Sequence, residues 1–149
     1  METLAAAIEA SEVASALRRS RWTYPGVNAA HVLGIAILVG SVVPLDLRLL
    51  GLWRDVPVAL FLRILRPVAA AGALLAIATG LLLFSVQARD YAAMPLFFAK
   101  MALVATGLTH ALAARNLVTA APSRRRRTGG LSLAIWLTTL TCGRFLGYV

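Results

Sequence analysis

Apolar residues fall into four runs, covering residues 24–45, 67–86, 95–118 and 131–148, with polar, proline-bearing or arginine-bearing stretches between them. A helix needs about 20 mostly apolar residues to cross a hydrocarbon core of about 30 Å, and each run is near that length. Strands of a membrane barrel would instead alternate in short segments, so the pattern predicts four transmembrane helices. Pro67 opens the second run, where a proline suits a first helical turn. Ahead of the first run, residues 3–19 set Leu4, Ile8, Val13 and Leu17 against Glu9, Glu12, Arg18 and Arg19. That stretch reads as a short amphipathic helix on the membrane surface or as a fraying N-terminus. It lacks the apolar centre of a cleavable signal peptide. The predicted fold is all-α: one membrane domain over residues 1–149, a four-helix transmembrane bundle with a short N-terminal amphipathic helix.

Composition sharpens this reading. Of the 149 residues, 60% are apolar and only 14% charged, against about 45–50% and 25% in soluble domains. A soluble core of this size cannot hide so much apolar surface, so lipid must cover it. The net charge of +9 would suit nucleic acid, but the arginines sit at the ends of the apolar runs. Topology and lipid headgroups account for them there, and no nucleic-acid partner is expected. The first loop has Arg48, Arg54, Arg63 and Arg66; the third has Arg115, from the last turn of the third run, with Arg124, Arg125, Arg126 and Arg127. The opposite side carries Arg18, Arg19, Arg21 and Arg89. Positive-inside counting therefore puts both termini outside.

Chemistry is concentrated in a few ionisable residues within the runs. Both histidines, His31 and His110, and the only lysine, Lys100, lie inside them, and ionisable groups in hydrocarbon usually mark function. At 1.5 Å rise per residue, His31 falls about 10 Å, and Lys100 and Arg144 about 8 Å, from the outer end, with Thr79 near that level. His110 falls about 22 Å deep. Tyr24, Asn28 and His31 form one stripe at helical spacing. Converging polar groups at one depth resemble a bundle-core cofactor site.

Within that layer, a neutral His31 could ligate haem iron, with Lys100 and Arg144 holding the porphyrin carboxylates. The alternative is a His31 bonded to backbone or Asn28, with Lys100 and Arg144 snorkelling. His110 is either a second metal ligand, a structural histidine near Thr106, or part of a second site. The roughly 12 Å difference in depth argues against pairing it with His31 on one iron.

Other residues read as packing or solvation. Ala69, Ala73, Ala76 and Gly80 form a small-residue row that admits a close neighbour; Gly34, Gly40 and Gly107 could do the same. Asp46 could pair with Arg63 or Arg66, or stay solvated. Thr138, Thr139 and Thr141 can bond carbonyls of their own helix. Cys142 offers neither a disulfide nor a metal cluster, and Met1, Met94 and Met101 form no copper-like thioether group.

Tyr24, Pro25, His31-Val-Leu-Gly34, Gly40 and Leu45-Asp46-Leu-Arg48-Leu-Leu-Gly51 occur in the first half. Thr79-Gly80, Phe84, Tyr91, Pro95, Lys100, Gly143-Arg144 and Tyr148 follow. Over nearly the whole chain this pattern resembles a family of uncharacterised bacterial four-span inner-membrane proteins. More distantly it is similar to copper-resistance protein D-like membrane domains and to HemJ-type protoporphyrinogen oxidases. The second likeness implies haem b, with His31 and Lys100 as the functional pair. The resulting expectation is a bacterial inner-membrane protein that binds haem b and acts in electron transfer or a related oxidation. Whether it is an enzyme stays open. A metal-handling or quinone-binding subunit, and a non-catalytic anchor, are the alternatives. The lipid bilayer is the expected surroundings, and a membrane or redox protein or a second copy the expected partner.

Overall fold

A computed structural model describes residues 2–114 and 116–148. Arg115, counted above among the loop cations, and Met1 lie outside the described residues. Seven helices and no strand occur among those described: α1 (Glu2–Glu9), α2 (Glu12–Arg19), α3 (Thr23–Leu50), α4 (Val58–Val86), α5 (Ala88–Ala93), α6 (Pro95–Ala113) and α7 (Pro122–Phe145). The chain is all-helical. Three of its helices, α3, α4 and α6, are long and apolar enough to cross a membrane.

Local chemistry sets most boundaries. Ser11 caps α2 by accepting the Ala14 N–H at 3.3 Å, so residues 3–19 form two helices rather than one. Replacing Ser11 by alanine should cost about 1 kcal/mol, seen as faster amide exchange confined to α2. Gly51 ends α3 in the left-handed region, φ 118°, where its N–H reaches the carbonyls of Leu47 and Arg48. Glycine adopts that conformation without a Cβ penalty. Pro95 and Pro122 open α6 and α7, where a missing N–H costs nothing.

Two helices extend past the apolar runs. α4 starts nine residues before Pro67, which sits in the helix interior rather than its first turn. The added turns are held because Val58 and Leu62 are buried with Leu45, Leu49 and Leu117, and Phe61 and Leu65 pack on that cluster. α7 likewise starts nine residues before Leu131, taking Arg124, Arg125, Arg126 and Arg127 into its opening turns. Arg125 donates through Nε to the Leu117 carbonyl at 2.9 Å and through Nη2 to the Val118 carbonyl. Arg66 of α4 donates to the Ala114 carbonyl at the end of α6. These bonds gather the arginine-rich end.

The long helices stand in the order α4, α3, α7, α6, with backbone contact only between neighbours in that row. α4 and α6 meet through side chains. At one end Phe84 stacks on Phe97 with centroids 5.3 Å apart. In the middle, Trp136 of α7 is buried with Leu38, Val42 and Ala73, and Leu108 of α6 packs on them.

The closest crossing joins α3 to α4. A Cβ on Gly34 would lie 2.6 Å from the Ala76 nitrogen, and one on Gly72 would lie 2.6 Å from the Leu38 nitrogen. The small-residue row therefore works through Ala73 and Ala76 with Gly72 beside it. Gly107 makes room for Trp136, whose Cζ2 would be 2.9 Å from an added Cβ. Gly40, by contrast, has nothing within 4 Å of that position and serves no close approach.

α1 and α2 pack on the end of the bundle away from the arginine-rich loops, against α5, α4 and α3. Ala5, Ala14 and Leu17 are buried there, while Leu4 and Val13 stay exposed. Glu9 clamps α5: its carboxylate accepts the Arg89 N–H at 2.8 Å and faces the Arg89 guanidinium at 3.4 Å. Arg18 donates to the Val86 carbonyl at 3.2 Å.

Candidate functional site

His31 projects from α3 onto α4, over a glycine. Its Nδ1 lies 2.8 Å from the Ala76 carbonyl and 3.1 Å from Thr79 Oγ1. A carbonyl can only accept, so Nδ1 carries the hydrogen, and in the neutral ring Nε2 keeps its lone pair. Thr79 sends its own proton to the Leu75 carbonyl at 2.6 Å and so can only accept from the imidazole. Gly80 lies beneath the ring: a Cβ there would sit 3.0 Å from Cε1.

Lys100 reaches the same level from α6. Its Nζ passes 3.5 Å from the position a Cβ on Gly143 would take, so a glycine of α7 again makes the space. The ammonium lies within electrostatic range of His31 and of Cys142. Side chains or glycines from α3, α4, α6 and α7 therefore share one layer, as the depth argument predicts for His31, Thr79 and Lys100.

The rest of the expected group is distributed differently. Arg144, one residue past Gly143, is exposed and turns to Tyr148, donating to its hydroxyl with the guanidinium 4.6 Å from the ring centroid. Asn28 is exposed. Tyr24 lies within electrostatic range of Tyr91 of α5. Burial, then Tyr24 and Asp90, push the half-buried Tyr91 phenol above the usual tyrosine range. The stripe of Tyr24, Asn28 and His31 thus splits among three surroundings. Near this end, a groove of about 520 Å³ opens between the α5–α6 connection and the final turn, lined by residues including Tyr91, Met94 and Leu146.

His110 lies near the other end of α6, where its Nε2 is 3.1 Å from the Thr128 carbonyl on α7. Thr106 bonds its own helix at Ala102 instead. Asp46 is buried, 2% exposed, against Ser132 and Gly129 of α7. One of its carboxyl oxygens has no partner, and it forms no ion pair with Arg63 or Arg66. Neither solvation nor an Arg partner, the two outcomes drawn from sequence, describes it. Thr139 and Thr141 bond carbonyls of their own helix.

Among the described residues, no group of three or more His, Cys, Asp or Glu side chains is placed to hold a metal ion. The donor set at His31 is one imidazole nitrogen with a cation nearby. That suits a ligand supplying its own metal and its own carboxylates, and does not suit a bare ion. No family model, curated protein or solved structure matches the chain.

Proposed function

We propose that the chain is a four-span protein of the bacterial inner membrane, with α7 as the fourth span, that binds haem b at His31 and serves electron transfer or a related oxidation. The observation carrying this reading is the imidazole itself, held through Nδ1 on the Ala76 carbonyl, which leaves Nε2 of the neutral ring free to ligate, in the layer that Lys100 also reaches. Axial histidines are oriented in that way by a second-shell carbonyl, which also raises their basicity. Positive-inside counting places the arginine-rich end inside and both termini outside.

His31 Nε2 would ligate the iron, and Gly80 leaves the imidazole ring its position. Lys100 would hold a porphyrin carboxylate through a charge-assisted bond, and Arg144 would hold the other on exchanging its Tyr148 hydroxyl for it. Haem, when bound, supplies one-electron chemistry at its iron. His110 does not share that iron, because ten residues of helix put it about 15 Å along α6 from Lys100.

Absorption spectra of the protein purified from haem-replete cells test this. A Soret band is expected, lost or shifted in His31→Ala and retained in His110→Ala. A colourless protein would overturn the reading.

A further inference from the structure

Four arginines from three segments converge at the end of the bundle opposite the His31 layer. Arg48 on α3, Arg54 in the following loop, and Arg125 and Arg126 on α7 line a cavity of about 150 Å³, with Leu49 and Val58 among its walls. Three of the four are fixed by bonds to backbone carbonyls. Arg48 donates to the carbonyls of Val56 at 2.7 Å and Arg54 at 3.3 Å, and Arg54 donates to Gly51 at 3.1 Å. Arg125 donates to Leu117 and Val118. The loop is shaped by two residues at positive φ, Gly51 and Trp53, and Trp53 stacks on Phe61 with centroids 6.0 Å apart.

Each guanidinium has five N–H groups, and these backbone bonds use at most two of them. None of the four is in an ion pair: among the described residues the ion pair is Arg89 with Glu9, at the other end, and Asp55, the acid of this loop, is exposed and pairs with none of them. Arg125 and Arg126 also stand in the first turns of α7, where the helix dipole disfavours cations and favours anions. Four like charges around one cavity, three of them held by bonds that leave most of their N–H groups unused, form a receptor for an oxyanion.

We infer that this cavity binds a phosphate group, and that its source is the headgroup of an anionic phospholipid. The volume admits a tetrahedral oxyanion. Leu52, Trp53 and Leu60 are exposed near it, an apolar surface on which acyl chains can lie, with tryptophan at the headgroup level. Free phosphate has the same headgroup chemistry without the chains.

Native mass spectrometry of the full chain in detergent tests the site, with phosphatidylglycerol, phosphatidylcholine or inorganic phosphate added. Arg54→Gln/Arg126→Gln is the site variant, since both residues are exposed. Arg19→Gln/Arg21→Gln removes equal charge at the far end. One phosphatidylglycerol per chain is expected, bound at least tenfold more weakly by the site variant and unchanged in the control. Retention of inorganic phosphate in place of the lipid, lost in the site variant alone, would uphold the phosphate site and overturn the lipid source. Equal weakening in both variants, or equal binding of phosphatidylcholine, would overturn the site. Circular dichroism and the melting temperature of the site variant establish that it is folded, so a loss of binding reads on the cavity.

Discussion

Gly34→Ala is expected to destabilise the protein by about 1–3 kcal/mol, the usual cost of overpacking, although it adds a single methyl group to an apolar helix. That methyl would lie 2.6 Å from the Ala76 nitrogen and 3.0 Å from the Gly72 oxygen. Both are backbone atoms, so no rotamer change relieves the clash and α3 must move off α4. This is the tightest helix pair of the fold, and lipid offers no hydrophobic gain to hold a loosened pair together. Displacement would also carry His31 away from the Ala76 carbonyl, so any cofactor on His31 should weaken in parallel. Gly40→Ala, on the same helix, meets nothing within 4 Å and should be neutral or slightly stabilising, because alanine is the better helix former. Unfolding midpoints in one detergent compare the two. Equal midpoints would mean that α3 and α4 do not cross at Gly34.

Gly34 also shows what was legible in the sequence. A small-residue row on one helix announces a close neighbour, and Gly34, Ala73 and Ala76 do meet. Which glycine fails to participate cannot be read this way: Gly40 has the same chemistry and faces outward, because the crossing point depends on how two helices are set against each other. Helix starts were legible at Pro95, where proline supplies a local signal. They were obscured at Val58 and Pro122, where the first turns lie outside the apolar runs and are held by packing and arginine–carbonyl bonds that hydropathy does not mark; the proline signal at 122 is followed by four arginines that break the apolar pattern. The arginines opening α7 break the apolar pattern and oppose the helix dipole, yet Arg125 contributes bonds to two loop carbonyls.

At the candidate site, axial rise alone placed His31, Thr79 and Lys100 at one level. Rise says nothing of azimuth. Arg144 is one residue from Gly143, and that residue of rotation turns it from Lys100 toward Tyr148. Asp46 is a similar case: as the first acid after an apolar run it looks like a loop charge, but α3 continues to Leu50 and carries it into the contact with α7.

Trp136→Ala should cost about 3 kcal/mol, at the lower end for loss of a buried large aromatic, because lipid-solvated unfolded helices reduce the transfer contribution and leave mainly lost packing. Trp136 is 5% exposed and lies mid-helix, whereas membrane tryptophans usually collect at the interfaces; that position was the available sign that it fills a core. It spans the gap between α4 and α6, which have no backbone contact of their own. Gly107 exists to admit it, since its missing Cβ would be 2.9 Å from Cζ2 and 3.1 Å from Cε2 of the indole. The two sites should therefore couple. Gly107→Leu alone is expected to destabilise by collision with the indole, but in the Trp136→Ala background the leucine enters the vacated space and should recover part of the loss. A double-mutant cycle on unfolding midpoints measures that coupling. Additive costs would show that Gly107 and Trp136 act independently and that α6 is held by other contacts.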